Sequence, residues 1–368
     1  MITYKFRLYP TPVQSTKMEE TIETCRRLYN NLLASRMETH DGYFAQKRHI
    51  TQIRKGNKFL AGVQSHVLQD VATRLDKAYG AFFVGLRRYP RFRRRGKYRS
   101  FTFDYTGFSI HQGFVRLSMI GDVRLRLHRT IQGFAKRATI IRDVDQWFVA
   151  FVVEEEKRVR KAGSGRVGVD LGLTNIVALS NGIVIQNPRW LNQSLSRIRL
   201  LQRQLSRKKK GSHNREKARI ELAKAWRIVS RQRDDYAHKL SYRLAKENCL
   251  IAFEELQIKN MVGNHNLASA IMDVCWGKLR RLTAFKAERR GGRVILVNPS
   301  GTSQKCSGCG EMVPKDLWVR AHECSNCGLV IDRDVNAARN ILQAGLERAR
   351  VEAEPIPVQR RRIGKFGR

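Results

Sequence analysis

Four thiols and three carboxylates are the residues of this chain whose types and spacing could do chemistry. Cys306-x2-Cys309 and Cys324-x2-Cys327 stand near the C-terminus. Two such pairs about a dozen residues apart give the tetrahedral thiolate set of a structural zinc ribbon, closed to catalysis. The string Asp332-Arg333-Asp334-Val335-Asn336-Ala337-Ala338 follows directly. An acidic strand end running into a helix supplies hard oxygen donors of the kind Mg²⁺ prefers. Upstream, Asp170 closes the run Arg166-Val167-Gly168-Val169, and Glu254 with Glu255 closes the apolar run Cys249 to Phe253. A soft-metal site beside a hard-metal site suggests a nuclease.

The elements that must position these groups run in the order strand–Asp, hairpin, two helices, strand–Glu, helix, strand, Asp–helix. That order predicts an RNase H-like domain. Carboxylates from two strands and a helix start could hold two Mg²⁺ about 3.5–4 Å apart, an arrangement that activates water and stabilises a leaving oxygen. Two choices stay open at this level. Successive strand side chains face opposite ways, so only one of Glu254 and Glu255 can point inward. Asp332 competes with Asp334 for the third position. Arg333 could contact a scissile phosphate or salt-bridge a neighbouring carboxylate.

Composition narrows the partner. The 368 residues carry 71 Lys and Arg against 32 Asp and Glu, a formal net charge of +39. A surplus of that size implies a polyanion. Duplex DNA carries one charge per roughly 1.7 Å of axis, so about 20 base pairs would match it. No apolar run approaches the ~20 residues of a membrane helix, and no signal peptide opens the chain. Cys25, Cys249 and Cys275 lie in apolar contexts and read as buried thiols. Ribbon spacing for the other four cysteines fits a reducing cytoplasm.

The chain opens with an alternating strand, Ile2 to Tyr9, closed by Pro10-Thr11-Pro12. Thr11 is a fitting N-cap with Pro12 at the first helical position. Met18, Ile22, Cys25, Tyr29 and Leu32 then form one helical stripe, and Val67, Val71, Leu75, Ala78 and Phe82 a second over about 62–86. On the polar face of the latter, Gln69 and Lys77 could touch nucleic acid. In Arg87 to Arg99, Arg91, Arg93, Arg94 and Arg95 interleave with Tyr89, Phe92 and Tyr98, suiting phosphate pairing and base stacking. Strands to about 154 predict an antiparallel barrel or sandwich that the opening strand joins, with the helices inserted in it. Lys157 to Gly165 reads as a linker. Asn181-Gly182 marks a hairpin, Lys208 and Lys209 a basic hinge between two long helices, and 268–290 a further helix.

Several of these stretches resemble one family. Gly168-Val169-Asp170-Leu171-Gly172, Phe253-Glu254-Glu255-Leu256 and Asp332-Arg333-Asp334-Val335-Asn336-Ala337-Ala338-Arg339-Asn340 are similar to the three RuvC motifs of TnpB nucleases, transposon-encoded relatives of type V CRISPR effectors. Thr302-Ser303-Gln304-Lys305-Cys306, Tyr89-Pro90-Arg91-Phe92-Arg93 and the opening Phe6-Arg7-Leu8-Tyr9-Pro10 match as well. The resemblance implies an RNA-guided endonuclease that cuts double-stranded DNA, and also single strands, beside a short flanking motif. It implies Asp170, Glu254 and Asp334 as catalytic ligands of two Mg²⁺, with Asp332 and Arg333 auxiliary, and Cys306, Cys309, Cys324 and Cys327 on Zn²⁺. Guide RNA from the transposon end and target DNA are the implied partners, one protein per RNA, in a prokaryotic cytoplasm at the nucleoid. Gln69 is nominated as the flanking-motif reader, since Gln can bond adenine bidentately.

The architecture implied is an α/β and β multidomain chain. A β-barrel wedge domain (1–10 and 99–158) holds an inserted helical recognition domain (11–98). A RuvC RNase H-like nuclease domain (166–300 and 330–348) with a zinc ribbon (301–329) follows, then a disordered basic tail (349–368). Two alternatives remain: a nuclease-inactive guided repressor, and a guide-independent nuclease or transposition accessory protein, because fold does not fix function.

Overall fold

The computed structural model describes residues 1–155, 161–261, 263, 265–316 and 318–353. They fall into two compact units, Met1–Glu156 and Lys157–Arg368.

In the first unit, strand β1 (Ile2–Tyr9) alternates, burying Tyr4, Phe6 and Leu8. Thr11 caps helix α1 (Pro12–Thr39) in a capping box. Its hydroxyl accepts from the Gln14 amide at 3.3 Å, and the Gln14 side chain accepts from the Thr11 amide at 3.0 Å. The whole predicted stripe, Met18 to Leu32, is buried. Helices α2 (Tyr43–Gly56) and α3 (Lys58–Ala61) come next, then α4 (Ser65–Phe83), which buries Val67, Val71 and Leu75. Six strands complete the unit: β2 (Ser100–Asp104), β3 (Phe108–His111), β4 (Phe114–Leu117), β5 (Gly121–Arg126), β6 (Phe134–Asp143) and β7 (Gln146–Glu154).

These strands and β1 form one antiparallel sheet in the order β2-β6-β7-β1-β5-β4-β3. The opening strand therefore does join the later ones, with the helices between β1 and β2 in the chain. The expected barrel is not closed, however. β2 and β3 end the sheet, and no ladder joins them among the described residues. A single 3-10 turn, Tyr105–Gly107, separates them in the chain. Helix α4 reaches β2 instead: Arg74 donates to the Ser100 carbonyl and the Thr102 hydroxyl, both at 2.8 Å. Sheet and helices share one core, in which Phe6, Phe101, Phe103 and Phe151 meet Met18, Leu32 and Leu75.

The second unit begins with β8 (Gly165–Asp170), β9 (Asn175–Leu179) and β10 (Val184–Gln186). Gly182 turns the hairpin between the last two at φ 90°. An antiparallel pair of helices, α5 (Trp190–Ser206) and α6 (His213–Glu247), leads to β11 (Asn248–Glu254). Helices α7 (Ile258–Met261), α8 (His265–Val274) and α9 (Trp276–Glu288) precede β12 (Arg293–Val297). The short hairpin β13 (Ala321–Glu323) and β14 (Val330–Asp332) ends in α10 (Arg333–Ala353). The main sheet runs β10-β9-β8-β11-β12, with β8, β11 and β12 parallel and the β8–β9 and β9–β10 pairs antiparallel.

Three expectations are corrected here. The helix expected over 268–290 is broken at Cys275, which sits at φ 54° between α8 and α9. The stretch 349–353 expected in the tail is helical instead, because α10 continues to Ala353 with Ala349 buried beside Leu250 and Ile295; residues 354–368 lie outside the described residues. The linker 157–165 is partly bound: the Gly163 amide donates to the Lys246 carbonyl at 3.1 Å, and Gly165 is already in β8. Residues 156–160 lie outside the described set. Of the three remaining thiols only Cys25 is buried; Cys249 and Cys275 are half-buried.

Candidate carboxylate site and cysteine cluster

Register brings the first two acids together. β8 and β11 are adjacent parallel strands with Val169 opposite Phe253, so Asp170 and Glu254 are the next residues along neighbouring strand ends. Paired residues point to the same face, with strands spaced about 4.8 Å apart. Gly168 and Ala252 are a register pair two residues earlier, hence on the same face. Helix α10 lies directly against that face. A Cβ at Gly168 would stand 2.0 Å from the Ala338 carbonyl, and one at Gly345 would stand 2.6 Å from the Ala252 Cβ. Only glycine permits that approach. Asp334 lies one turn before Ala338, so the packing of α10 carries it toward Asp170.

Electrostatics agree with this placement. Asp170 is half-buried, and its pKa is pushed up to about 8, first by desolvation and then by the charges of Glu254 and Asp334. Glu254 is 8 % exposed, and burial raises it also, against a hydrogen bond from the Thr302 hydroxyl. Asp334 is 7 % exposed. It accepts from Asn175 Nδ2 at 3.2 Å, and Arg333 Nε and Arg320 Nη1 lie 3.5 and 3.7 Å from its oxygens.

The two members of each pair have different surroundings. Glu255 is exposed, and its amide continues the ladder to the Val297 carbonyl at 2.9 Å. Asp332 is the N-cap of α10, accepting from the amides of Asp334 and Val335 at 2.9 and 3.0 Å. Its carboxylate is thereby committed to the helix end. Arg333 pairs with Asp334, one of the two roles considered for it.

The cysteines form a second constellation. Cys306 and Cys327 Sγ lie 3.6 Å apart, as do Cys309 and Cys324 Sγ. A tetrahedron with Zn–S bonds of about 2.3 Å has edges of about 3.8 Å, so the four fit one Zn²⁺. Both Cys-x-x-Cys-Gly turns are built alike. Gly310 and Gly328 take φ of 85° and 70° and donate to the Cys306 and Cys324 carbonyls at 2.9 Å. Backbone N–H donation at Glu311 lowers the Cys309 pKa to about 6, favouring the thiolate that metal binding requires. Among the described residues, this quartet is the one group of three or more His, Cys, Asp or Glu ligand atoms within 4.8 Å of one another. The three carboxylates stand farther apart than that.

The positions nominated for nucleic acid differ in how free they are. Lys77, Arg91, Arg94, Arg95, Lys208 and Lys209 are exposed. Arg93 is exposed but its main chain is fastened: its amide donates to Asn30 Oδ1 at 2.7 Å and its carbonyl accepts from Arg26 at 2.8 Å. Tyr98 is buried against Tyr29, so it cannot stack on a base, and the Tyr89 hydroxyl is engaged with that of Tyr79 at 2.9 Å. Phe92 is the most exposed of the three rings, at 55 %. Gln69 ties α4 to α2, its amide donating to the Lys47 carbonyl at 3.3 Å and lying 3.4 Å from the Thr51 hydroxyl. That leaves less of its amide for a bidentate contact than the sequence suggested.

Four residues at the site carry no role in the sequence reading: Thr302, Asn175, Asn336 and Asn340. Asn336 accepts from the Ser307 amide at 2.9 Å and donates to the Lys305 carbonyl at 2.8 Å. Asn340 donates to the Thr302 and Lys305 carbonyls at 2.8 and 2.6 Å. The two amides thus clamp the cysteine segment onto α10. Their i, i+4 spacing in Asn336-Ala337-Ala338-Arg339-Asn340 was the available signal.

Comparison with known proteins bears on the whole chain. Residues 150–265 match a family described as "Probable transposase", 276–341 a "Cas12f1-like, TNB domain", and 1–42 a "Helix-turn-helix domain". In this structure residues 1–42 hold β1 and one unbroken helix. A Streptomyces pristinaespiralis protein named as an RNA-guided DNA endonuclease is 35% identical over 93% of this chain and 89% of its own. An Escherichia coli K12 protein named as the RNA-guided DNA endonuclease InsQ is 29% identical over 93% and 92%. Sulfoacidibacillus thermotolerans Cas12f1, a CRISPR-associated endodeoxyribonuclease, is 24% identical over 57% and 53%. The class is thus the transposon- and CRISPR-associated nucleases. Within it, the chain belongs to the TnpB family of RNA-guided DNA endonucleases. Among the described residues, no helix is long and apolar enough to cross a membrane.

Proposed function

We propose that this protein is an RNA-guided endonuclease that cuts double-stranded DNA at a RuvC-type site made by Asp170, Glu254 and Asp334. The observation that carries this reading is the convergence of three acids at element ends, Glu254 and Asp334 buried and Asp170 half-buried, with Asp170 pushed up to about 8 by desolvation and by its two acidic neighbours. Such a donor set is short of positive charge, and its hard oxygens fit Mg²⁺. When bound, two Mg²⁺ would supply an activated water and charge neutralisation at the scissile phosphate.

The chain's own residues do the rest. Asp170 and Glu254 are fixed at neighbouring strand ends, Thr302 holds one oxygen of Glu254, and Asn175 holds one oxygen of Asp334. Arg320 and Arg333, beside Asp334, supply cations that suit a phosphate entering the site. Cys306, Cys309, Cys324 and Cys327 would hold structural Zn²⁺. The exposed basic residues and the +39 charge suit a guide RNA from the transposon end and a DNA target beside a short flanking motif. In the finer division, residues 1–10 and 99–158 make a wedge, 11–98 a recognition insert, and the second unit a RuvC-like domain with its ribbon.

The test is plasmid cleavage by protein co-expressed with its own flanking locus, on a guide-matched target beside randomised bases. Linear product that requires Mg²⁺, a matched target and a restricted flank is expected. Cleavage that ignores the guide, or tight target binding without cutting, would overturn the proposal.

A further inference from the structure

The loop that enters the cysteine segment touches the carboxylate site directly. Strand β12 ends at Val297, which is the register partner of Glu254. Five residues later the Thr302 hydroxyl donates to Glu254 Oε1. The same hydroxyl also lies 3.1 Å from the Pro299 carbonyl, and the Thr302 carbonyl accepts from Asn340 at 2.8 Å.

The loop itself is stiff. Gly301 turns it at φ 74°, and the Gln304 and Lys305 amides both donate back to its carbonyl, at 3.1 and 2.9 Å. Lys305, in turn, is held by Asn336 and Asn340, and Cys306 follows at once. The main chain therefore runs from Cys306 back through residues 305–302, braced by these hydrogen bonds, to a hydroxyl that bonds a single oxygen of Glu254. The other strand-end acid, Asp170, has no side-chain partner of this kind among the bonds described.

We infer that Thr302 is a positioning residue: through it the cysteine segment fixes which oxygen of Glu254 faces a bound divalent cation. The inference rests on the reading of Asp170, Glu254 and Asp334 as cation ligands and names how one of them is oriented. A ligating carboxylate needs its non-ligating oxygen held, and outer partners of this kind change metal affinity by about 10- to 100-fold when removed. Threonine suits the task because its β-branched side chain leaves few rotamers, so the hydroxyl stays aimed.

The test uses the full-length ribonucleoprotein and three variants: Thr302→Val, Thr302→Ser and Asp170→Ala. Mn²⁺ binding is followed by electron paramagnetic resonance, and the Mg²⁺ concentration for half-maximal cleavage is measured beside it. Thr302→Val should weaken the Asp170-dependent Mn²⁺ site and raise the Mg²⁺ requirement, both by about 10- to 100-fold. Zinc content, melting temperature and target affinity should stay at wild-type values, and Thr302→Ser should restore both metal readouts. Wild-type Mn²⁺ binding in Thr302→Val would overturn the inference while leaving the site intact. So would loss of zinc or of melting temperature in that variant, which would make Thr302 a structural residue of the loop. Absence of any Asp170-dependent Mn²⁺ binding in the wild-type protein would sink the reading of the site itself, and this inference with it.

Discussion

The four thiols come from two alike turns within Cys306–Gly328, each closed by its own main-chain hydrogen bonds, and they lie within 4.8 Å of one another. The three carboxylates come from β8, β11 and α10, and are brought toward one another where Gly168 and Gly345 let a helix lie against the sheet. The thiols are thus placed by local chain geometry, the acids by long-range packing. Local placement tolerates distant change, whereas packed placement transmits it. The two sites are nevertheless joined by Asn336, Asn340 and Thr302.

Breaking the local site should have the larger effect. Cys324→Ser should abolish zinc retention and lower the melting temperature of the second unit, since a segment too small for its own core depends on its metal. Cleavage should fall with it, through the loosened hold on Glu254. Zinc analysis beside calorimetry checks this; an unchanged melting temperature in a zinc-free protein would refute it.

Gly168→Ala probes the packed site alone. Its Cβ would collide with the Ala338 carbonyl, so α10 must shift and carry Asp334 with it. A displacement of about 1 Å can cost ~10²-fold in rate. Cleavage should drop by that order while zinc content holds. Wild-type cleavage in a folded Gly168→Ala protein would show that α10 does not position Asp334.

Acidity separates the two sites further. The Asp170 pKa of about 8 lies above its ordinary 3.8, and Glu254 is raised in the same direction. The folded, metal-free state therefore holds protons that the unfolded chain has released. Stability from this source is complete below the unfolded value and is lost as pH rises through about 8. Metal-free protein should accordingly melt lower at about pH 9 than at about pH 6, and Asp170→Asn should flatten that slope. Mg²⁺ should flatten it too, by supplying the missing positive charge. A slope identical in Asp170→Asn would assign it to other groups.

How far the sequence reveals each site follows from the same contrast. The thiols were legible as spacing, because spacing is what builds them. Asp170 and Glu254 were legible as acids closing apolar strands, but their nearness depends on register between distant strands. Thr302 and Asn175 escaped because a loop hydroxyl and an amide at the first residue of a strand bear no periodic mark. Helix α2 was unread because its only buried residues, Gln46 and Ile50, make no apolar stripe. The break falls on Cys275 itself, while the nearby Gly277 lies inside the first turn of α9 and so does not mark it. The open sheet was read as a barrel because strand alternation is the same in both; what differs is Arg74 of α4 bonded to β2.

The most direct measurement compares wild-type and Asp170→Ala ribonucleoproteins on one matched plasmid, scoring cleavage and target affinity together. Cleavage lost with affinity for guide RNA and target unchanged is the expected result. Affinity lost in parallel with cleavage would make Asp170 a structural residue, and undiminished cleavage would remove the carboxylate site from the chemistry altogether.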